Sequence, residues 1–151
     1  MLKSNVGWST KESSYEAGKE AASKAVVDLV QTKVAFVYTS ADNKVDEVLK
    51  GAKTELGTAP IIGCTSSGGI IVPDGYITSE NGFAGILALG DPDMTVGVAA
   101  SPRGDSPRKT GAEVAREAMR KVVPTFRRPE EVNSVTGNQE KKLEIGSLVA
   151  V

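Results

Sequence analysis

The sequence predicts an α/β protein: a mixed β-sheet with a βαβ unit and an antiparallel hairpin, and helices packed on the sheet. Three observations predict it. Two β-branched apolar runs, at residues 33–39 and 61–62, enclose a stretch of helical periodicity that Gly57 closes. Alanine recurs every four residues after Ser13 and Glu16, which have capping-box spacing. Two further apolar runs, 82–89 and 94–100, flank Gly90-Asp91-Pro92-Asp93, a hairpin signal that makes the sheet mixed.

Taken in order, residues 6–9 pass from apolar to polar and form the first strand. A helix over residues 14–30 follows, with Ala17, Ala21, Ala25 and Leu29 on a narrow face beside Ala22, Val26 and Val30. Such small side chains suit close packing on a sheet. The run K-V-A-F-V-Y-T at 33–39 has the β-branched and aromatic content of a largely buried strand. Residues 40–43 cap a second helix, whose stripe is Val45, Val48, Leu49, Ala52 and Leu56. The strand at 61–62 lies parallel to the one before it. Residues 70–72 and 76–78 flank Pro73-Asp74-Gly75, a turn signal. Ser106, with Pro107 at the first helical position, starts a third helix that turns Ala112, Ala115, Ala118, Met119, Val122 and Val123 inward and stops at Pro124. Residues 1–126 thus read as a single α/β lobe. Residues 127–151 read as a polar tail or linker, with a terminal strand where 143–151 turns apolar again.

Composition narrows the function. A length of 151 residues suits one domain. A net charge of −1 points to neither nucleic acid nor an anionic membrane. No apolar run spans a bilayer and the start lacks signal-peptide character, while one cysteine fits a reducing interior, so the reading is cytoplasmic. Histidine is absent, which removes Ser-His and Cys-His pairs and the commonest metal ligand. No Cys-x-x-Cys exists, so no metal site is expected.

The segment I-I-G-C-T-S-S-G-G-I at 61–70 is the candidate site. Its apolar strand opens into Gly63, Cys64, Thr65, Ser66, Ser67 and Gly68, a turn with one thiol, three hydroxyls and close main-chain access. Small residues there can equally mark a plain corner. Gly63-x4-Gly68 has the glycine spacing of a P-loop, but Gly69 and Ile70 stand where lysine and a hydroxyl must follow. No G-x-G-x-x-G opens a helix either, and no cofactor is expected. In an open α/β sheet ligands bind beyond the carboxyl ends of strands. Trp8 and Thr10, then Ser40 and Asp42, occupy such ends and are expected to converge on the 63–68 turn. Arg127 and Arg128 read as solvated surface.

These motifs resemble the N-terminal part of the FIST family of sensory domains. The pieces are V-G-W-S-T at 6–10, Y-E-A-G-K-E-A-A at 15–22, V-A-F-V-Y-T-S at 34–40, the 61–70 segment, Asn81-Gly82-Phe83-Ala84 and Thr110-Gly111-Ala112. The similarity covers roughly residues 5–123 and ends after Pro124; the Gly-Cys-Thr-Ser turn is its most specific part. It implies a sensor of a small molecule, an amino acid or related metabolite, read by a downstream signalling protein, with no catalytic residue. Two features depart from the family. Gly69 stands where an acidic residue is common, and the family region is longer, so the chain reads as a fragment or single-lobe relative that forms a homodimer. Two alternatives stand beside the sensor. One is a thiol-dependent enzyme using Cys64, with fast alkylation at neutral pH. The other is a homo-oligomeric assembly domain whose glycine turn only shapes a corner.

Overall fold

The structure, a computed structural model, describes residues 1–78, 80–122 and 147–150. They fall into two compact units, Met1–Pro92 and Asp93–Val151.

The first unit is built on a four-stranded sheet. Strands β1 (Lys3–Ser9), β2 (Val34–Ser40), β3 (Ile61–Ser66) and β6 (Ala84–Gly90) lie in the order β1-β6-β2-β3. β6 runs antiparallel to both neighbours and β3 runs parallel to β2. β1, β2 and β3 therefore share one direction, and their carboxyl ends lie at one end of the sheet. Helix α1 (Ser14–Ala25) links β1 to β2, and α2 (Val45–Leu56) links β2 to β3. The α/β class, the mixed sheet and the βαβ unit of β2, α2 and β3 are as the sequence predicts.

The core is small-residue chemistry. Ala17, Ala21, Ala22 and Ala25 of α1 pack with Val48, Ala52 and Leu56 of α2 over Ala35, Val37, Ala84, Ile86 and Ala88 of the sheet. The two helices also pack on each other. A Cβ on Gly18 would strike the Val48 carbonyl, and one on Gly51 would strike the Tyr15 carbonyl. The small residues of α1 thus serve a helix–helix contact as well as the sheet, which sequence periodicity does not separate.

Several boundaries differ from expectation. α1 ends at Ala25, five residues before Val30, which is 93% exposed. Val26 and Val27 are β-branched and Asp28 sits at φ +62, so the chain turns out of the helix there. Lys44, not residues 40–43, is the N-cap of α2; its amide donates to the Ser14 Oγ of α1 at 3.1 Å. Gly57 ends α2 at φ +60, as expected.

β4 (Ile70–Val72) and β5 (Gly75–Ile77) form an antiparallel hairpin on the Pro73-Asp74 turn. Among the described residues this is the antiparallel hairpin. The one expected between β6 and β7 (Thr95–Val98) does not form: β6 is paired on both sides, by β1 and β2, and β7 pairs in parallel with β8 (Ser147–Ala150). Antiparallel order within the main sheet comes from β6 inserting between β1 and β2. No turn chemistry encodes that.

In the second unit, α3 (Pro107–Val122) packs against β7. Its inward stripe is Val114, Ala118 and Val122, while Ala112 and Met119 are exposed and Ala115 is half-buried. These three lie at i, i+4 and i+8, on one face of the helix. The expectations for Val123, Pro124, Arg127, Arg128 and most of the polar tail lie outside the described residues; β8 falls within the segment expected to hold a terminal strand.

Candidate functional site

β3 sets the geometry of the 61–70 segment. The strand does not stop at Ile62 but runs on through Gly63, Cys64, Thr65 and Ser66, paired in register with Val37, Tyr38, Thr39 and Ser40. Thr and Cys tolerate the extended backbone, and β2 offers a continuous parallel ladder there. Only Ser67 and Gly68, both exposed, lie beyond the strand. The Ser66 Oγ turns the chain by donating to the Gly69 carbonyl at 2.9 Å.

β3 is also an edge strand. The Ala35 amide donates to the Pro60 carbonyl at 3.0 Å, and the Ala41 amide to the Ser66 carbonyl at 3.3 Å. In a parallel ladder of that phase Ile62, Cys64 and Ser66 bond inward. The main-chain groups of Ile61, Gly63 and Thr65 face the open edge.

Over this edge lies a groove of about 240 Å³ between α2 and β3. Its lining is Val37, Thr39, Val45, Val48, Leu49, Ile61, Gly63, Cys64 and Thr65. Its origin is local: Ile61 and Thr65 carry side chains on the helix face, but Gly63 between them carries none. A Cβ there would strike the Val37 carbonyl, so glycine both permits the close approach of β3 to β2 and leaves the floor bare. A second hollow of about 440 Å³ shares Leu49 and Ile61 and continues past Lys53 to Gly57 and Pro60.

Of the ten residues singled out by sequence, Gly63, Cys64 and Thr65 line the groove. Cys64 is an exposed free thiol. Ser66, Ser67 and Gly68 follow at the strand end without lining it. Ser40 is buried opposite Ser66, and its Oγ donates to the Asp42 Oδ2 at 2.9 Å while accepting from the Asp42 amide at 3.2 Å. That is a local hydroxyl turn, which accounts for both side chains without a ligand. Trp8 and Thr10 lie at the same end of the sheet, but β6 and β2 stand between β1 and β3. The β2 and β3 ends are therefore adjacent, and the β1 end is three strands from the groove.

Trp8 belongs to a different cluster. Its Nε1 donates to Asp74 Oδ2 at 3.2 Å, tying β1 to the β4–β5 turn. Lys24 lies 5.4 Å from its ring centroid and donates to its carbonyl at 3.0 Å. Lys24 also pairs with Glu20 at 2.9 Å, which accepts from Ser9 Oγ at 2.8 Å and meets Lys11 at 3.4 Å. Hydrogen bonds from Lys24 and Ser9 hold the Glu20 carboxyl down at about 2, well below the usual carboxylate range.

Sequence reasoning missed the residues that hold the groove in place. Buried Asn43 donates to Thr39 Oγ1 and to the Phe83 carbonyl, each at 2.8 Å. The Phe83 carbonyl also accepts from Thr39 Oγ1 at 3.0 Å and the Ser40 amide at 2.9 Å. This knot joins the β2–α2 loop to the start of β6. Its signal, an asparagine just after a strand end, is indistinguishable in sequence from a helix cap. Val45 and Leu49 read as core stripe; Leu49 does pack against the core and also lines the groove, while Val45 lines the groove and is 40% exposed. Among the described residues no group of three or more His, Cys, Asp or Glu could hold a metal, and no helix is long and apolar enough to cross a membrane.

A family model described as FIST N domain matches residues 33–145. The match starts later than the resemblance read from sequence and runs past Pro124, where that resemblance was expected to end. No curated protein matches the chain. Among solved structures it is similar to an empty FtsZ dimer of M. jannaschii, at 16% identity and TM-score 0.37, over 60% of this chain and 26% of that one. A mutant FtsZ of that organism is similar at 18% identity and TM-score 0.38, over 60% and 27%. The chain thus spans about a quarter of those proteins, and at such TM-scores the likeness carries no argument.

Proposed function

The chain belongs to the FIST N domain family, and from that premise we propose that it is a small-molecule-binding sensory module of intracellular signal transduction. The observation that carries the reading is the groove between α2 and edge strand β3, lined by Gly63, Cys64 and Thr65 of the segment most specific to the family resemblance. An apolar hollow with a few polar groups at its rim is the usual form of a small-ligand site. The ligand class implied by the resemblance is an amino acid or related metabolite. Binding would favour one of two conformational or assembly states through differential affinity, to be read by a downstream protein. The role is non-catalytic and the setting cytoplasmic. Support for self-association comes from Ile71 and Tyr76, paired on the β4–β5 hairpin and 88% and 62% exposed.

A thermal-shift screen against the twenty amino acids and common metabolites tests the reading. A ligand at a hundred times its dissociation constant stabilises by about 2.7 kcal/mol. The expected result is a selective rise, reduced in Thr65→Val. A flat response to every compound, or a rise unchanged in Thr65→Val and Gly63→Ser, removes the groove as the site. Light scattering checks the dimer.

A further inference from the structure

We propose that the groove takes an uncharged, compact aliphatic molecule with one hydrogen-bonding end, and that it excludes a free zwitterionic amino acid. This rests on the groove being a ligand site, and it names the ligand's charge class. Five of the lining side chains are aliphatic and none is charged. The Thr39 hydroxyl is already engaged, donating to Phe83 and accepting from Asn43. What is left at the rim is the Thr65 hydroxyl and the outward main-chain groups of Gly63 and Thr65 on the open edge, since the Cys64 side chain alternates to the other face of the sheet. These answer an alcohol, a carbonyl or an amide. They do not neutralise an ammonium and a carboxylate.

The charges in the first two turns of α2 are already occupied. Asp46 and Glu47 stand in the first turn of α2, where they complement the helix dipole, and Lys50 pairs with them at 3.6 and 2.6 Å. An ionised group moved into an apolar hollow without a counter-charge is strongly disfavoured. No buried side-chain nitrogen or oxygen among the described residues lacks a partner, so no orphan atom calls for an ionic ligand. Size narrows the class further. At about 240 Å³ the groove exceeds a cavity of about 150 Å³ that accepts benzene and falls short of the roughly 300 Å³ of drug-sized sites. A branched five-carbon skeleton with an alcohol or amide head fits that space. Past Leu49, in the adjoining hollow, stands Lys53, the cation that an anion would seek.

The test uses one skeleton with five heads, on the whole chain: isovaleramide, isoamyl alcohol, isoamylamine, isovalerate and leucine. Two readouts are taken, a thermal shift and a calorimetric titration. The amide and the alcohol are expected to raise the midpoint and to titrate with a saturating heat signal, with the three charged compounds weaker by at least about 100-fold. Thr65→Val is expected to weaken the amide by roughly 3- to 10-fold, the worth of one hydrogen bond. Binding of leucine as tight as or tighter than the amide overturns the inference while leaving the groove as the site. Binding of isovalerate that is lost in Lys53→Met overturns it in the same way. Binding of none of the five removes the site itself.

Discussion

Replacing Gly51 by alanine sets two effects of opposite sign against each other, and the structure decides which wins. In an open helix the change favours folding, because glycine is about 1 kcal/mol worse than alanine in a helix interior. In α2 the new Cβ would strike the Tyr15 carbonyl and stand 2.9 Å from the Lys19 amide nitrogen, both of them backbone atoms of α1. Backbone cannot swing aside as a side chain can. The two helices must separate by about 1 Å, and a gap of that size forfeits a quarter to a half of each affected dispersion contact. Overpacking of this kind costs about 1–3 kcal/mol, and rigid backbone on both sides places it near the upper end. The net expectation is a loss of about 2 kcal/mol, or a fall of roughly 4–8 °C in Tm. Urea unfolding followed by Trp8 fluorescence reads it, since Trp8 lies in the same unit. Gly111→Ala in α3 is the control: a Cβ there meets nothing within 4 Å, so it should stabilise by up to about 1 kcal/mol by circular dichroism. Stabilisation by both substitutions would refute the account of the α1–α2 contact.

Acid should weaken the first unit through Glu20. Its folded pKa of about 2 lies below the usual 4.5, so its contribution is full above pH 4.5 and is lost as pH falls through 2. The side chain is 31% exposed, and pairs near the surface are worth roughly 0–1 kcal/mol each, so about 1 kcal/mol is at stake. Urea midpoints in Glu20→Gln should be flatter than wild type between pH 5 and pH 2; parallel curves would contradict this. Asn43→Ala leaves Thr39 Oγ1 without its donor and should cost about 1–3 kcal/mol in the same urea assay. Gly63→Ala should both destabilise the β2–β3 pairing and fill the groove floor, abolishing any ligand-induced thermal shift. Cys64 should alkylate at the rate of an ordinary exposed thiol, and a rate faster by orders of magnitude would revive the thiol-enzyme alternative.

The α/β class, the βαβ unit, the Pro73-Asp74 hairpin and the end of α2 at Gly57 were legible in the chain itself. Each follows from local steric and periodic rules: β-branched runs, four-residue apolar spacing, a glycine at positive φ. The family resemblance also surfaced from the residues at 61–70. Tertiary structure alone decided three other matters. β6 pairs with β1 and β2 rather than with β7, because strand pairing is a competition among distant segments and not a property of the turn between neighbours. Small residues of α1 meet a second helix as well as the sheet, because periodicity marks a buried face without saying what buries it. The groove exists because Gly63 is bare between Ile61 and Thr65 at an edge that α2 overhangs, and the knot of Asn43, Thr39 and Phe83 fixes the loop that leads into α2. Its components lie up to 44 residues apart. A linear reading can weigh each one, but only the packed chain brings them into one place.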